Sequence, residues 1–81
     1  MQAVYSARFR RSYDEAPPAI QRAFDRKIEL LLANLRHPSL QTKKYDESRD
    51  LWQGRVTQGW RFYFSIAGDT YMLIDIMAHP K

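Results

Sequence analysis

The sequence predicts an α+β fold: an N-terminal strand, a helical hairpin, then an antiparallel three-stranded meander forming one sheet packed on the helices. Three observations carry this. Apolar residues recur at helical spacing between positions 18 and 35. Apolar and polar residues alternate along much of 51–78. The turn-forming pairs Gln58-Gly59 and Gly68-Asp69 divide that second stretch into strands.

Residues 2–5, QAVY, are short and β-compatible. Ser6 is placed to N-cap a first helix, ARFRRSYDEA, in which Phe9 and Tyr13 lie four apart and share a face. Arg8, Arg10 and Arg11 surround them as a solvated face. Pro17 and Pro18 end this helix and begin another, because proline is tolerated in a first turn whose N–H groups have no partner. In that second helix Ile20, Phe24, Ile28, Leu31, Leu32 and Leu35 form one stripe, with Arg22, Asp25, Arg26 and Glu29 mainly opposite. His37, preceding Pro38, is expected to end it, with its charge favouring the C-terminal dipole. Residues 38–50, PSLQTKKYDESRD, lack helical period and read as a long polar loop, a length that often carries function. Strands are expected over 51–57, 60–66 and 71–78.

Length and composition bound the function. At 81 residues the chain reads as a single domain, 1–81. A chain this short buries only roughly 60–65% of its unfolded surface, which favours a surface site over an enclosed pocket. The absence of cysteine excludes disulfides and thiolate metal sites, and two histidines argue against zinc. No cofactor is expected. The N-terminal MQAVYSARF lacks the apolar run of a signal peptide, and no segment approaches the ~18 apolar residues of a membrane span. A reduced, cytoplasmic setting without membrane contact is therefore expected. The net charge of +4 leans towards polyanionic partners, although many basic domains bind no nucleic acid.

Alternation sorts the meander into two faces. Trp52, Gly54, Val56, Trp60, Phe62, Phe64, Ile66, Met72, Ile74, Ile76 and Ala78 fall on the face expected to cover the helices. The other collects Gln53, Arg55, Arg61, Tyr63, Leu73, Asp75, Met77 and His79. That reverse face is either simply wet, as in many antiparallel sheets, or built to hold an anion. Its arginines, tyrosine, histidine and amide can bind phosphate, stack on bases and move protons.

The element order, the helix-ending RHPSL, the TKK…LW segment and above all RVTQGWRFYFSIAGDTYMLIDI resemble the RelE/ParE superfamily of toxin–antitoxin toxins, RelE-like branch. The likeness spans nearly the whole chain. Its most specific part is Gly59-Trp60-Arg61-Phe62-Tyr63-Phe64. For RelE-like members the resemblance implies ribosome-dependent cleavage of mRNA, in which a ribose 2′-OH attacks the adjacent phosphate. Arg61 matches the arginine that contacts the scissile phosphate, and Arg55 a basic position on the preceding strand. Gln53 occupies a second such position but is neutral. His79 lies near the basic or histidine position close to the family's C-terminus, and no residue matches the tyrosine often found beyond it.

The resemblance thus points to Arg61, Arg55 and His79 as catalytic residues. The candidate RNA-binding residues are Gln53, Tyr63 as a ring able to stack on bases, and Lys43, Lys44 and Arg49 of the long loop, which either grip phosphates or merely solubilise that loop. Histidine ordinarily titrates near neutrality, so His79 is a proton carrier or, so near the terminus, merely solvated. Asp46, Glu47 and Asp75 are alternative bases, or partners of Arg49 and Arg55. Implied partners are the ribosome, mRNA and a cognate antitoxin with an amphipathic, acidic segment. Leu73 and Met77 are candidate exposed apolar positions for its docking. A ParE-like poison of DNA gyrase and a non-catalytic antitoxin-binding member share the fold and stay open as alternatives.

Overall fold

The computed structural model describes residues 1–79. In chain order it contains β1 (Gln2–Tyr5), α1 (Ala7–Glu15), α2 (Pro18–Ala33), a 3₁₀ turn (Pro38–Leu40), β2 (Lys43–Asp46), β3 (Leu51–Thr57), β4 (Trp60–Ala67) and β5 (Thr70–Ala78). The α+β class and the order of the long elements match the expectation. The sheet has five strands rather than a three-stranded meander alone, in the order β1-β5-β4-β3-β2. β1 joins the far edge in parallel with β5, and every other pairing is antiparallel. No helix among the described residues is long and apolar enough to cross a membrane.

Ser6 caps α1 as expected: its Oγ accepts the Phe9 N–H at 2.9 Å and donates to the Ile74 carbonyl at 2.8 Å. One hydroxyl thus caps the helix and ties it to β5. The helices are joined through Ala16-Pro17, and their contacts step backwards along the chain, as in an antiparallel pair. Tyr13 donates its hydroxyl to Asp25 at 2.8 Å and accepts from Gln21 through its carbonyl at 2.7 Å. Phe9 packs on Phe24 with ring centroids 5.0 Å apart.

Helix α2 ends at Ala33, two residues before the expected Leu35, because Asn34 leaves the helical region at φ −161°. The Asn34 carboxamide oxygen accepts the Arg36 N–H, a local bond that competes with helix continuation. His37 does not serve the end of α2. Its Nδ1 accepts the Ser39 N–H at 3.2 Å and so caps the 3₁₀ turn, whose Leu40 is fully buried. Gln41 then turns the chain through the left-handed region at φ 46°. The expected loop over 38–50 is therefore structured: it anchors through Leu40 and adds an edge strand.

The core is an aromatic chain. Phe24 on α2 meets Phe62 edge-on at 5.5 Å, Phe62 stacks on Phe64 at 5.6 Å, and Phe64 stacks on Trp52 at 6.2 Å. Phe24, Phe62, Phe64, Leu31, Leu40, Leu73 and Ile76 are fully buried. Each such burial stabilises by roughly 1.5–3 kcal/mol. Gly54 makes the close approach possible, since a Cβ there would fall 2.3 Å from Cζ of Phe62.

The expected faces hold for β4 and for β3 as far as Val56; the pairing then shifts by one residue, so that Thr57, expected on the reverse face, sits opposite core-packed Trp60. They fail for the first half of β5. Tyr63 pairs with Asp75 but Phe64 pairs with Leu73, so Ile74 is an extra residue, a β-bulge. Before the bulge the alternation is inverted. Tyr71 and Leu73 point into the core, and Leu73 is fully buried instead of being an exposed docking position. Met72 turns outward beside Val4, its partner on β1. Met77 is exposed, as expected.

Two outcomes follow from this packing. Gly54→Ala is expected to destabilise by about 1–3 kcal/mol, because the Phe62 ring it would strike is locked in the core; the midpoint of urea unfolding checks this. Burial first, then the Asp25 hydrogen bond and charge, push the Tyr13 phenol up to about 12. A raised phenol pKa stabilises the fold fully below the ordinary value near 10 and is lost as pH climbs from about 10 through about 12. Tyr13→Phe is therefore expected to flatten the fall in melting temperature across that window.

Candidate nucleic-acid interface

The β3–β4 hairpin positions the centre of the site. Its register sets Arg55 directly opposite Arg61. Because Phe62 faces the core, Arg61 beside it must face away. Like charges placed directly across a sheet repel by roughly 0.2–1 kcal/mol. The repulsion is relieved by turning one guanidinium back onto the backbone. Nη1 of Arg61 donates to the carbonyls of Thr57 at 2.7 Å, Gln58 at 3.1 Å and Trp60 at 3.0 Å. This leaves the Nε–Nη2 edge of Arg61 without a protein acceptor among the described residues. That edge is the one able to hold two oxygens of a phosphate side-on.

His79 joins the same turn. Its backbone N–H donates to the Gly59 carbonyl at 2.8 Å, which fixes the end of β5 beside the hairpin. It is exposed and lies one residue beyond the end of β5. Arg55, Arg61 and His79 are thus gathered around the turn from Thr57 to Trp60. Neither arginine has an ion-pair partner among the described residues.

One basic group of this region was missed from sequence. Lys27, on α2, donates its ammonium to the Ser39 carbonyl at 3.2 Å. Burial, then the charges of Arg55 and Arg26, push it below the ordinary lysine value. Nothing in the amphipathic pattern of α2 marks Lys27 as lying within reach of the Arg55 charge.

The expected RNA-binding residues separate. Lys43 is exposed on the edge strand and pairs with Gln53 on the reverse face. Lys44 lies apart from that face. One step along β2, it lies on the helix side, with its Nζ 5.0 Å from the Trp52 ring and 2.5 Å from Asp50. Arg49 is exposed in the β2–β3 turn and paired with Asp46 at 2.9 Å. Hydrogen bonds from Ser48 and then Arg49 hold the Asp46 carboxyl below its usual range, so Asp46 serves the turn.

Gln53 and Tyr63 lie side by side in the reverse face, yet both are buried, at 6% and 7% exposure. Tyr63 is therefore not an open stacking surface. Its ring meets that of Tyr45 in a T-shaped pair at 5.1 Å, and Tyr45 is the exposed aromatic, at 57%. Burial first, then the charge of Tyr45, push the Tyr63 phenol up; Arg61 opposes them, and Asp75 adds the smallest push upward. Asp75, across from Tyr63, accepts its neighbour's N–H, Ile76, at 2.8 Å and faces Arg8 at 4.0 Å; it is not the partner of Arg55. Among the described residues no three of His, Asp or Glu converge as metal ligands would.

The architecture is that of a known group of proteins. No protein-family model and no curated protein matches the sequence. Solved structures do match. The chain superposes on a YoeB/ParE toxin from Agrobacterium tumefaciens with TM-score 0.82 and 14% identity, covering 99% of this chain and 100% of that one. It superposes on YafQ from E. coli with TM-score 0.79 and 15% identity, covering 94% and 90%. For the RelB-RelE antitoxin-toxin complex from Methanococcus jannaschii the values are 0.75 and 17%, covering 93% and 88%. The chain has the RelE/ParE fold.

The three carbonyl bonds give Arg61 a structural task beside any chemical one. Arg61→Ala is expected to lower stability by about 1–2 kcal/mol, within the range for partly exposed charge-assisted hydrogen bonds. Arg61→Lys should lose less; urea midpoints of the two variants check this.

Proposed function

We propose that this protein is the toxin of a type II toxin–antitoxin system and acts as a ribosome-dependent mRNA endonuclease. The observation that carries the reading is the cluster of Arg55, Arg61 and His79 around one hairpin turn, with an unoccupied guanidinium edge and no neutralising carboxylate among the described residues. The fold supports it, because the matched structures are those of toxins, some in complex with an antitoxin.

The chemistry suits these groups. A ribose 2′-OH gives up its proton and its oxygen bonds to the adjacent phosphorus. The bond from phosphorus to the 5′-oxygen breaks, leaving a 2′,3′-cyclic phosphate, and the 5′-oxygen takes a proton. Negative charge grows on the phosphoryl oxygens between these events. The free edge of Arg61, with Arg55 opposite, is placed to stabilise it without reorganisation. His79 is the imidazole available for one proton transfer. The positive face also fits the acidic segment of an antitoxin, which would neutralise it.

Primer extension on translated mRNA, after induction in cells, tests the reading. Cuts positioned by codon are expected from the wild type, falling by about 10²–10³ in rate for Arg61→Lys if the planar edge binds the phosphate. DNA breaks linked to gyrase, with intact mRNA, would instead establish the poison. Growth without either lesion would leave an antitoxin-binding protein.

A further inference from the structure

Gln53 is unusual among the polar residues of the reverse face. Its side chain is more than nine-tenths buried, yet it makes no hydrogen bond to protein among the described residues. None of its polar atoms is sealed, however, since no buried side-chain nitrogen or oxygen lacks a partner among those residues. The carboxamide therefore sits in the sheet surface with a narrow opening to solvent. An amide held that way keeps about 1–3 kcal/mol of unmet hydrogen bonding unless water or a ligand satisfies it.

The neighbours describe what would fit over it. Lys43 and Tyr63 flank Gln53 across the two adjoining strands. Tyr45, the residue at the β2 register shift, stands exposed with its ring T-shaped to that of Tyr63. Asp75 lies one strand further along the same row. The row thus holds a cation at one end, an amide without a protein partner among the described residues, and a carboxylate at the other end, with the exposed Tyr45 ring beside it. Aromatic faces hold single-stranded bases by stacking. A glutamine amide can give one hydrogen bond and accept one from an adenine edge.

We propose that Tyr45 and Gln53 form a base-reading subsite for single-stranded RNA, with Tyr45 stacking on the base and Gln53 selecting adenine. As the subsite of the nuclease, this rests on the function proposed above; as a binding site, it can be tested without cleavage. Fluorescence anisotropy with labelled oligo(A) and oligo(U) RNA at low salt measures it directly. The wild type is expected to bind oligo(A) at least about 5-fold more tightly than oligo(U). Tyr45→Leu, which keeps apolar cover but removes the π face, should weaken both by roughly 5- to 150-fold, while Tyr45→Phe binds like wild type. Gln53→Leu should bring the two affinities together. Melting temperatures of all variants should stay within a few degrees of wild type.

Absence of RNA binding, equal wild-type affinities, an unaffected Tyr45→Leu variant or a preserved adenine preference in Gln53→Leu would each overturn the inference. So would weakening that merely follows loss of melting temperature. Primer extension separates the two readings. Codon-positioned cuts without adenine preference sink the subsite alone. Adenine-selective binding that depends on Tyr45 and Gln53, without cuts, sinks the nuclease and keeps the subsite.

Discussion

The contact of Phe62 with Gly54 is the constraint on which the remaining structure depends. The ring occupies the space where a side chain at position 54 would stand, and it reaches Phe24 of α2 on its far side. That seating admits one register of β3 against β4. A slip by one residue would reverse every side chain of the hairpin, exposing Phe62 and Phe64 and burying Arg61. The core thereby holds two guanidiniums opposite each other on the reverse face, although their mutual repulsion disfavours that arrangement. Packing outweighs the repulsion, because several buried aromatics at roughly 1.5–3 kcal/mol each exceed one cross-strand pair of like charges at under about 1 kcal/mol.

A guanidinium fastened by one nitrogen differs from a free one. Arg61 spends Nη1 on the carbonyls of its own turn, so its plane is set before any phosphate arrives. Little side-chain entropy remains to be lost on binding, and the open edge has a fixed direction. Lysine could meet one or two of those carbonyls but has no second edge to present. The same turn receives the backbone of His79, so hairpin stability and site geometry are coupled through a few hydrogen bonds.

Much of this was legible in the sequence, and the failures have local causes. The faces of β3 and β4 could be read because arginine, glutamine and tyrosine alternate with tryptophan, phenylalanine and valine there. The first half of β5 could not, because Tyr71-Met72-Leu73-Ile74 carries no polar residue to mark a face. A bulge in such a run leaves no trace in the pattern, and Leu73 was accordingly placed outside. β2 was hidden by its composition: KKYD reads as loop, and only pairing with β3 makes it a strand. Without β2 there was no alternation to send Lys44 to the helix side, nor to bring Tyr45 over Tyr63. The charged centre was therefore visible in the residues, while its aromatic rim was not.

The location of the acidic groups completes the electrostatic argument. Asp46 and Asp50 are taken by Arg49 and Lys44 at the edge of the sheet, and Asp25 by the Tyr13 hydroxyl on the helices. Among the described residues Asp75 alone stands in the reverse face, at the opposite end of its row from Lys43, with Arg8 beside it. A merely wet surface would mix its charges, as soluble domains do to avoid a field of one sign. Here positive charge is left concentrated at the hairpin turn, and the one carboxylate of the face sits beside a buried phenol. That segregation makes two adjoining environments, one suited to phosphate and the other to the polar edge of a base. On the function proposed above, a single nucleotide would present both groups, and the two halves of the reverse face would then act as one surface.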